Sequence, residues 1–221
     1  YGTGVARSPC GLPATGEWVR TESAHEGRER LSELTGIGAR HASMAFTLLL
    51  HRAIAPSVPQ FVELDEYSAD DTWKTGVIFQ ADGELTGLVA ILLPVASRDM
   101  VAERLIGEED SVDLHKTVES ALRELGNIVA SHTMSAIADR LGGRILLSVP
   151  LLVMEDADTA FLSMFRERGA EACVECELTD AENEIHVRLI FAPAPGPSAS
   201  PRPRPATWRP CTSQMHSAAA T

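Results

Sequence analysis

The chain has 221 residues, 44% of them hydrophobic, and a formal net charge of -12; that is enough for a sizeable core in one ordinary domain or two small ones. The charge argues against duplex nucleic acid as a partner, since phosphate binding needs clustered Lys and Arg. The longest apolar runs, such as 87–96, are too short to span a membrane, and no basic start followed by an apolar run marks a secretory signal, so a cytoplasmic protein is expected. Lys74 and Lys116 are its only lysines; with many acids and few aromatics, this composition suggests adaptation to high salt.

Residues 1–24 are rich in Gly, Pro, Thr and Ala without periodicity and read as a flexible tail. A helix is expected over 27–52, then strands near 58–66, 73–81 and 84–93, the last two joined by an Asp82-Gly83 turn. A short helix follows Pro94, with Ser97 as a plausible cap, and runs to about 106. A long helix starts near 112. Strands near 144–154, 170–179 and 184–192 come next, the last turn spanning 180–183. Residues 157–167 are ambiguous, a short helix being one reading. The remainder, 193–221, is Pro-rich and holds neither helix nor central strand. Helix, three strands, then helix and strands again predict an α+β domain over 25–192, with pseudo-symmetric halves at 27–107 and 112–192.

The long helix carries the most informative pattern. Leu122, Leu125, Val129, Ala136 and Ile137 recur at helical spacing and form a core face. Ser120, Glu124, Asn127 and Ser131 line a second, polar stripe, which puts an acid and an amide one turn apart on a rigid mount. Aligned on its Glu, the first helix offers Glu29-x3-Glu33-x2-Gly36 at the corresponding places, with Gly where the amide would stand. His41 and His132 follow five residues after Gly36 and Asn127; His132 falls at the core-bordering period.

Other groups read as structural. Cys173 and Cys176 form a CxxC in an alternating, strand-like stretch, where a separation of three puts them on opposite faces; no second ligand pair completes a zinc site. Glu155, Asp156 and Asp158 read as a solvated turn and a poor Ca2+ site. Arg98, Asp99, Glu103 and Arg104 read as ion pairs on the short helix.

Ser120-x3-Glu124-x2-Asn127, set in ELGNIVASHTMSAIADRLG and followed by a Ser-Val-Pro strand, resembles the signature of the CheC-type chemotaxis phosphatases, relatives of CheX and FliY, in particular their salt-adapted archaeal forms. The resemblance covers about 28–192. It implies a CheC-like two-layer sandwich of two pseudo-symmetric halves, with the two long helices packed on one face of a continuous antiparallel sheet. It implies hydrolysis of the aspartyl-phosphate of a CheY-like response regulator: Asn127 positions the attacking water, Glu124 docks on the regulator's lysine, and Ser120 and Ser131 contact the partner. The Mg2+ belongs to the regulator, so no cofactor or metal site of the protein's own is expected. Glu29, Glu33 and Gly36 become a degenerate first site. An alternative is a non-catalytic adaptor that binds CheD and phosphorylated CheY; a flagellar switch component would need a further domain. The family would close its second half with a short helix, which the Pro-rich tail does not offer, and an apolar sheet edge near Val187–Phe191 would then be exposed.

Overall fold

The computed structural model describes residues 24–107 and 113–195; of the expected tails, 1–23 and 196–221 lie outside the described residues. The elements are α1 (Ala24–Leu50), β1 (Ile54–Pro56), β2 (Gln60–Glu63), β3 (Thr75–Gly83), β4 (Gly87–Leu93), α2 (Val95–Ile106), α3 (Leu114–Leu141), β5 (Ile145–Leu147), β6 (Leu151–Val153), α4 (Ala157–Glu167), β7 (Ala172–Asp180) and β8 (His186–Pro193). The ambiguous segment 157–167 is thus a helix, and Pro193 closes a strand rather than opening a tail.

The strands make one eight-stranded antiparallel sheet in the order β1-β7-β8-β4-β3-β5, with β2 also on β7 and β6 also on β3. Each half therefore gives its edge to the other: β1 and β2 pair with β7, and β5 and β6 pair with β3. A pseudo-two-fold axis passes between β4 and β8. The apolar edge expected at Val187–Phe191 does not exist, because β8 is hydrogen-bonded on both sides, to β7 and β4.

The edges carry a sequence repeat. Each edge is broken in two at a constant offset of 91 positions: β1, which precedes the expected strand 58–66, is parted from β2 at Ser57-Val58-Pro59, and the expected strand 144–154 is split into β5 and β6 at Ser148-Val149-Pro150. Proline has no N–H for the ladder. In both places the serine keeps the neighbouring strand satisfied. Ser57 N donates to Glu177 O (2.7 Å) and Ser57 Oγ accepts from Glu177 N (3.0 Å). Ser148 does the same with Gln80, at 2.9 and 3.0 Å. The break also moves the first hairpin. Its last paired residues are Ala81 and Gly87, because Asp82 and Gly83 are taken up by Leu146 and Ile145 of β5 and cannot form the two-residue turn.

Alternation along the strands divides two cores. Val77, Phe79, Val89, Ile91, Leu189 and Phe191 meet α1, α2 and α3 on one face. Ile78, Leu88, Ala90, Leu92 and Ile190 meet Phe161 and Phe165 of α4 on the other. Strands covered on both faces read as unbroken apolar runs, as β4 does. Cys173 and Cys176 fall in different cores, so the CxxC cannot converge on one ligand. Burial raises both thiols, Cys173 to about 12.

The long helices run antiparallel: Glu33 meets Arg140, and Gly38 lies against Thr133 and Ile137. A Cβ on Gly38 would fall 2.8 Å from Thr133 Cγ2, and one on Gly126 would fall 2.7 Å from Val77 Cγ1. These two glycines let α1 approach α3, and α3 approach the sheet, more closely than side chains permit. Gly126→Val is therefore expected to lower unfolding stability in urea by about 2 kcal/mol through overpacking. An unchanged denaturation midpoint would mean that α3 is not seated on Val77.

Candidate functional site

Asp113 caps α3, its side chain accepting from Lys116 N, and left-handed Gly142 ends it. Between the caps Leu122, Leu125, Val129 and Ile137 are buried, as their period requires, and Ala136 is half-buried. Ser120, Glu124 and Ser131 are exposed and Asn127 is half-buried, so the four expected site residues do share the outer face of one helix. His132, expected to border the core, is exposed, as is His41. The reason is a helix pair set on a flat sheet, which leaves two adjacent positions per repeat facing outward.

The offset of 91 that relates the two Ser-Val-Pro breaks also relates the helices. Residues 33–43 and 124–134 have the same order of exposed, buried and half-buried positions throughout. Glu33 corresponds to Glu124 and Gly36 to Asn127. The repeat makes their differences informative. Glu33 Oε1 lies 3.3 Å from Arg140 Nη2 across the helix pair. The position corresponding to Arg140 beside the other site is Leu49, and among the described residues no cation pairs with Glu124. Glu29 faces His25 at 3.4 Å. A Cβ on Gly36 would meet Pro59 Cγ at 3.4 Å and Arg40 Nη1 at 3.8 Å, ordinary contacts, so the position tolerates a Cβ but presents no amide. An open groove of about 630 Å³ lies along this first site, lined by Glu29, Glu33, Leu34 and Arg140 among others. On the other half α2 packs on both long helices. Arg140 was not singled out from sequence; comparing positions 49 and 140 at the fixed offset would have found it.

Other clusters have structural uses. Asp158, expected in a solvated turn, is buried. It accepts hydrogen bonds from the Tyr67 hydroxyl and from Asp70 N (2.9 Å), which ties the 64–74 loop to α4. Burial, then the Asp158 carboxylate, raises Tyr67 so far that the phenol stays protonated. On α2, Arg98 pairs with Asp99 at 2.6 Å, an exposed contact worth little.

Asp180, Glu182 and Glu184 are the one group among the described residues whose ligand atoms converge enough for a cation, within 4.8 Å. Arg52 already binds all three: Nε is 2.8 Å from Asp180, Nη1 is 2.7 Å from Glu184, and Nη2 touches Glu182. Burial opposes the Asp180 charge, but the N–H groups of Ile185 and Glu184 and the Arg52 guanidinium outweigh it and hold this carboxyl below its ordinary value. The cluster thus locks the end of α1 to the β7–β8 turn.

Residues 118–154 match the model of the CheC-like family, a stretch that begins just before Ser120 and includes Glu124, Asn127, Ser131 and the second Ser-Val-Pro break. The architecture is the CheC-like fold. It is shared with CheX from Desulfovibrio desulfuricans (TM-score 0.55, 10% identity, 73% of this chain and 99% of that one). Thermotoga maritima FliY is similarly alike (TM-score 0.55, 16% identity, 78% and 92%). So is the Borrelia burgdorferi chain in a CheX-CheY-BeF3-Mg2+ complex (TM-score 0.53, 17% identity, 72% and 96%). In sequence the chain is 33% identical over 136 residues to the CheY-P phosphatase CheC of Bacillus subtilis, covering 57% of this chain and 65% of that protein, just under two thirds of its length. No helix among the described residues is long and apolar enough to cross a membrane.

Arg52→Ala strands the buried Asp180 carboxylate, and a loss of about 3 kcal/mol is expected at neutral pH. In the wild type this carboxyl titrates below its unfolded value of about 3.9, so its stabilising effect is complete above that pH and is lost as pH falls through the folded value. The gap between variant and wild type should therefore close in acid. A gap independent of pH in urea titrations would contradict the role given to this pair.

Proposed function

We propose that this protein is a cytoplasmic phosphatase that hydrolyses the aspartyl-phosphate of a CheY-like response regulator through the single site on α3. The observation that carries this reading is Glu124 and Asn127, one turn apart on the outer face of a firmly seated helix, with Glu124 paired to no cation among the described residues. The CheC-like match over the same residues and the identity to a CheY-P phosphatase support it.

The chemistry follows from the residue types. An aspartyl-phosphate already has Mg2+ and a lysine beside it in the regulator, so charge stabilisation is supplied by the substrate. In-line attack still needs an ordered water, and positioning is the larger part of phosphoryl-transfer catalysis. A carboxamide can accept from a water and donate to a phosphoryl oxygen at once, and it does so without adding charge. Asn127 takes that role. Its half-burial limits its rotamers, whereas the exposed Glu124 reaches for the regulator's lysine. Ser120 and Ser131 bracket the contact. The metal is the regulator's, and this chain's residues supply only order and docking.

Only one of the two repeated sites can work in this way. Gly36 presents no amide, and Arg140 both neutralises Glu33 and would repel an approaching lysine. That loss is also what favours the second reading, an adaptor that binds CheD and passes on the regulator's state; it would leave binding independent of Asn127.

Asn127→Ala is expected to slow stimulated dephosphorylation about a hundredfold, roughly 2.7 kcal/mol in the barrier, while regulator binding and folding persist. Wild-type turnover by the variant would remove the positioning role. In that variant background, Gly36→Asn should not restore activity, since Arg140 still holds Glu33. Recovery of phosphate release would show the first site to be only one residue from function.

A further inference from the structure

The two sites differ not only in their own residues but in what the opposite helix presents beside them. Glu33 reaches position 140 of α3, so by the repeat Glu124 stands across from position 49 of α1. On the outer side of that stretch Met44 and Leu48 are exposed, at 60% and 70%. They are four apart and so form one ridge. Their counterparts beside the first site, at the offset of 91, are Ser135 and Asp139, both exposed and both polar. In a chain of net charge -12, the intact site is therefore flanked by an uncharged apolar ridge and the degenerate one by Asp139 and Arg140. Exposed single apolar residues are ordinary. A pair placed beside the cation-free carboxylate, and replaced by polar residues at the matched position, is not accounted for by folding.

We propose that Met44 and Leu48 of α1 form a docking ridge for the phosphorylated regulator, which thus binds across both long helices. The proposal rests on the function given above. The occupant is a receiver domain whose face offers one cation beside apolar surface. The cation meets Glu124, and apolar contact with Met44 and Leu48 aligns the phosphoryl group with Asn127. An apolar contact desolvates the Glu124 ion pair and so strengthens it. The first helix, which has lost its own chemistry, keeps a use in recognition for its partner's site. The ridge also fixes which of the two quasi-equivalent ends the regulator chooses.

The test is the double variant Met44→Ser, Leu48→Asp, which installs the residues found at the matched positions. Binding of a beryllofluoride-activated CheY-like regulator is measured by fluorescence anisotropy, and turnover by phosphate release. Both side chains are exposed, so the variant should keep its circular dichroism and melting temperature. Val58→Ser, exposed at 79% on the β1–β2 edge beside the first site, serves as the control. The expected result is a rise of tenfold or more in Kd and KM with kcat within twofold, and no change in the control. Unchanged Kd in the double variant, or an equal loss in the control, overturns the ridge. Binding that is lost with the ridge, by a wild type that shows no turnover, would sustain the docking and defeat the phosphatase reading. A wild type that neither binds nor turns over defeats both.

Discussion

The close seat of α1 against α3, and of α3 against β3, is the constraint on which the rest of the molecule depends. Gly38 lies where a Cβ would collide with Thr133 and Ile137, and Gly126 where one would collide with Val77. Gly126 immediately precedes Asn127. The residue that brings the helix onto the sheet thus sets the height and rotation of the amide that faces outward. Exchange of edge strands between the halves then holds the sheet beneath the helices as one body. Neither half can complete its sheet without the other, so the mount under α3 includes strands from both ends of the chain.

On this frame, duplication supplies two equivalent positions, and divergence has used them differently. The burial order of 33–43 is repeated in 124–134, so both helices still fold and pack by the same rules. The differences fall at buried and exposed positions alike: within the core Thr35 is matched by Gly126, Gly38 by Val129, Ala42 by Thr133 and Ser43 by Met134. Nearer the surface Asn127 is matched by Gly36, Arg140 by Leu49, and Ser135 and Asp139 by Met44 and Leu48. Buried differences must be compensated in packing, where a methylene is felt. Exposed positions are free to acquire or lose a partner at little cost in stability. On the proposed function, one of the two positions works and the other is closed by its own ion pair.

Much of this was legible in the residues. The 3.6-residue period of Leu122, Leu125 and Val129 placed the polar stripe on the outer face, and strand alternation separated Cys173 from Cys176. The failures have particular causes. The Asp82-Gly83 turn signal was overridden because Leu146 and Ile145 of β5 pair with those residues, a long-range contact that no local pattern carries. Ser148-Val149-Pro150 was read within a continuous strand, and β1 before Ser57 was missed, because the hydroxyl that mends the ladder is invisible without its neighbour. Asp158 was placed in solvent because its burial depends on Tyr67, 91 residues earlier and across a loop. Arg140 was passed over because its meaning lies in a comparison between halves rather than in its own surroundings.

The most direct test of the account is phosphate release from a phosphorylated CheY-like regulator in Mg2+ and high salt, with this protein present at one twentieth of the regulator's concentration. A catalyst that orders water at α3 predicts release that rises in proportion to the protein and continues for many turnovers. Release that stays at the regulator's own rate, with a folded protein present, would contradict it.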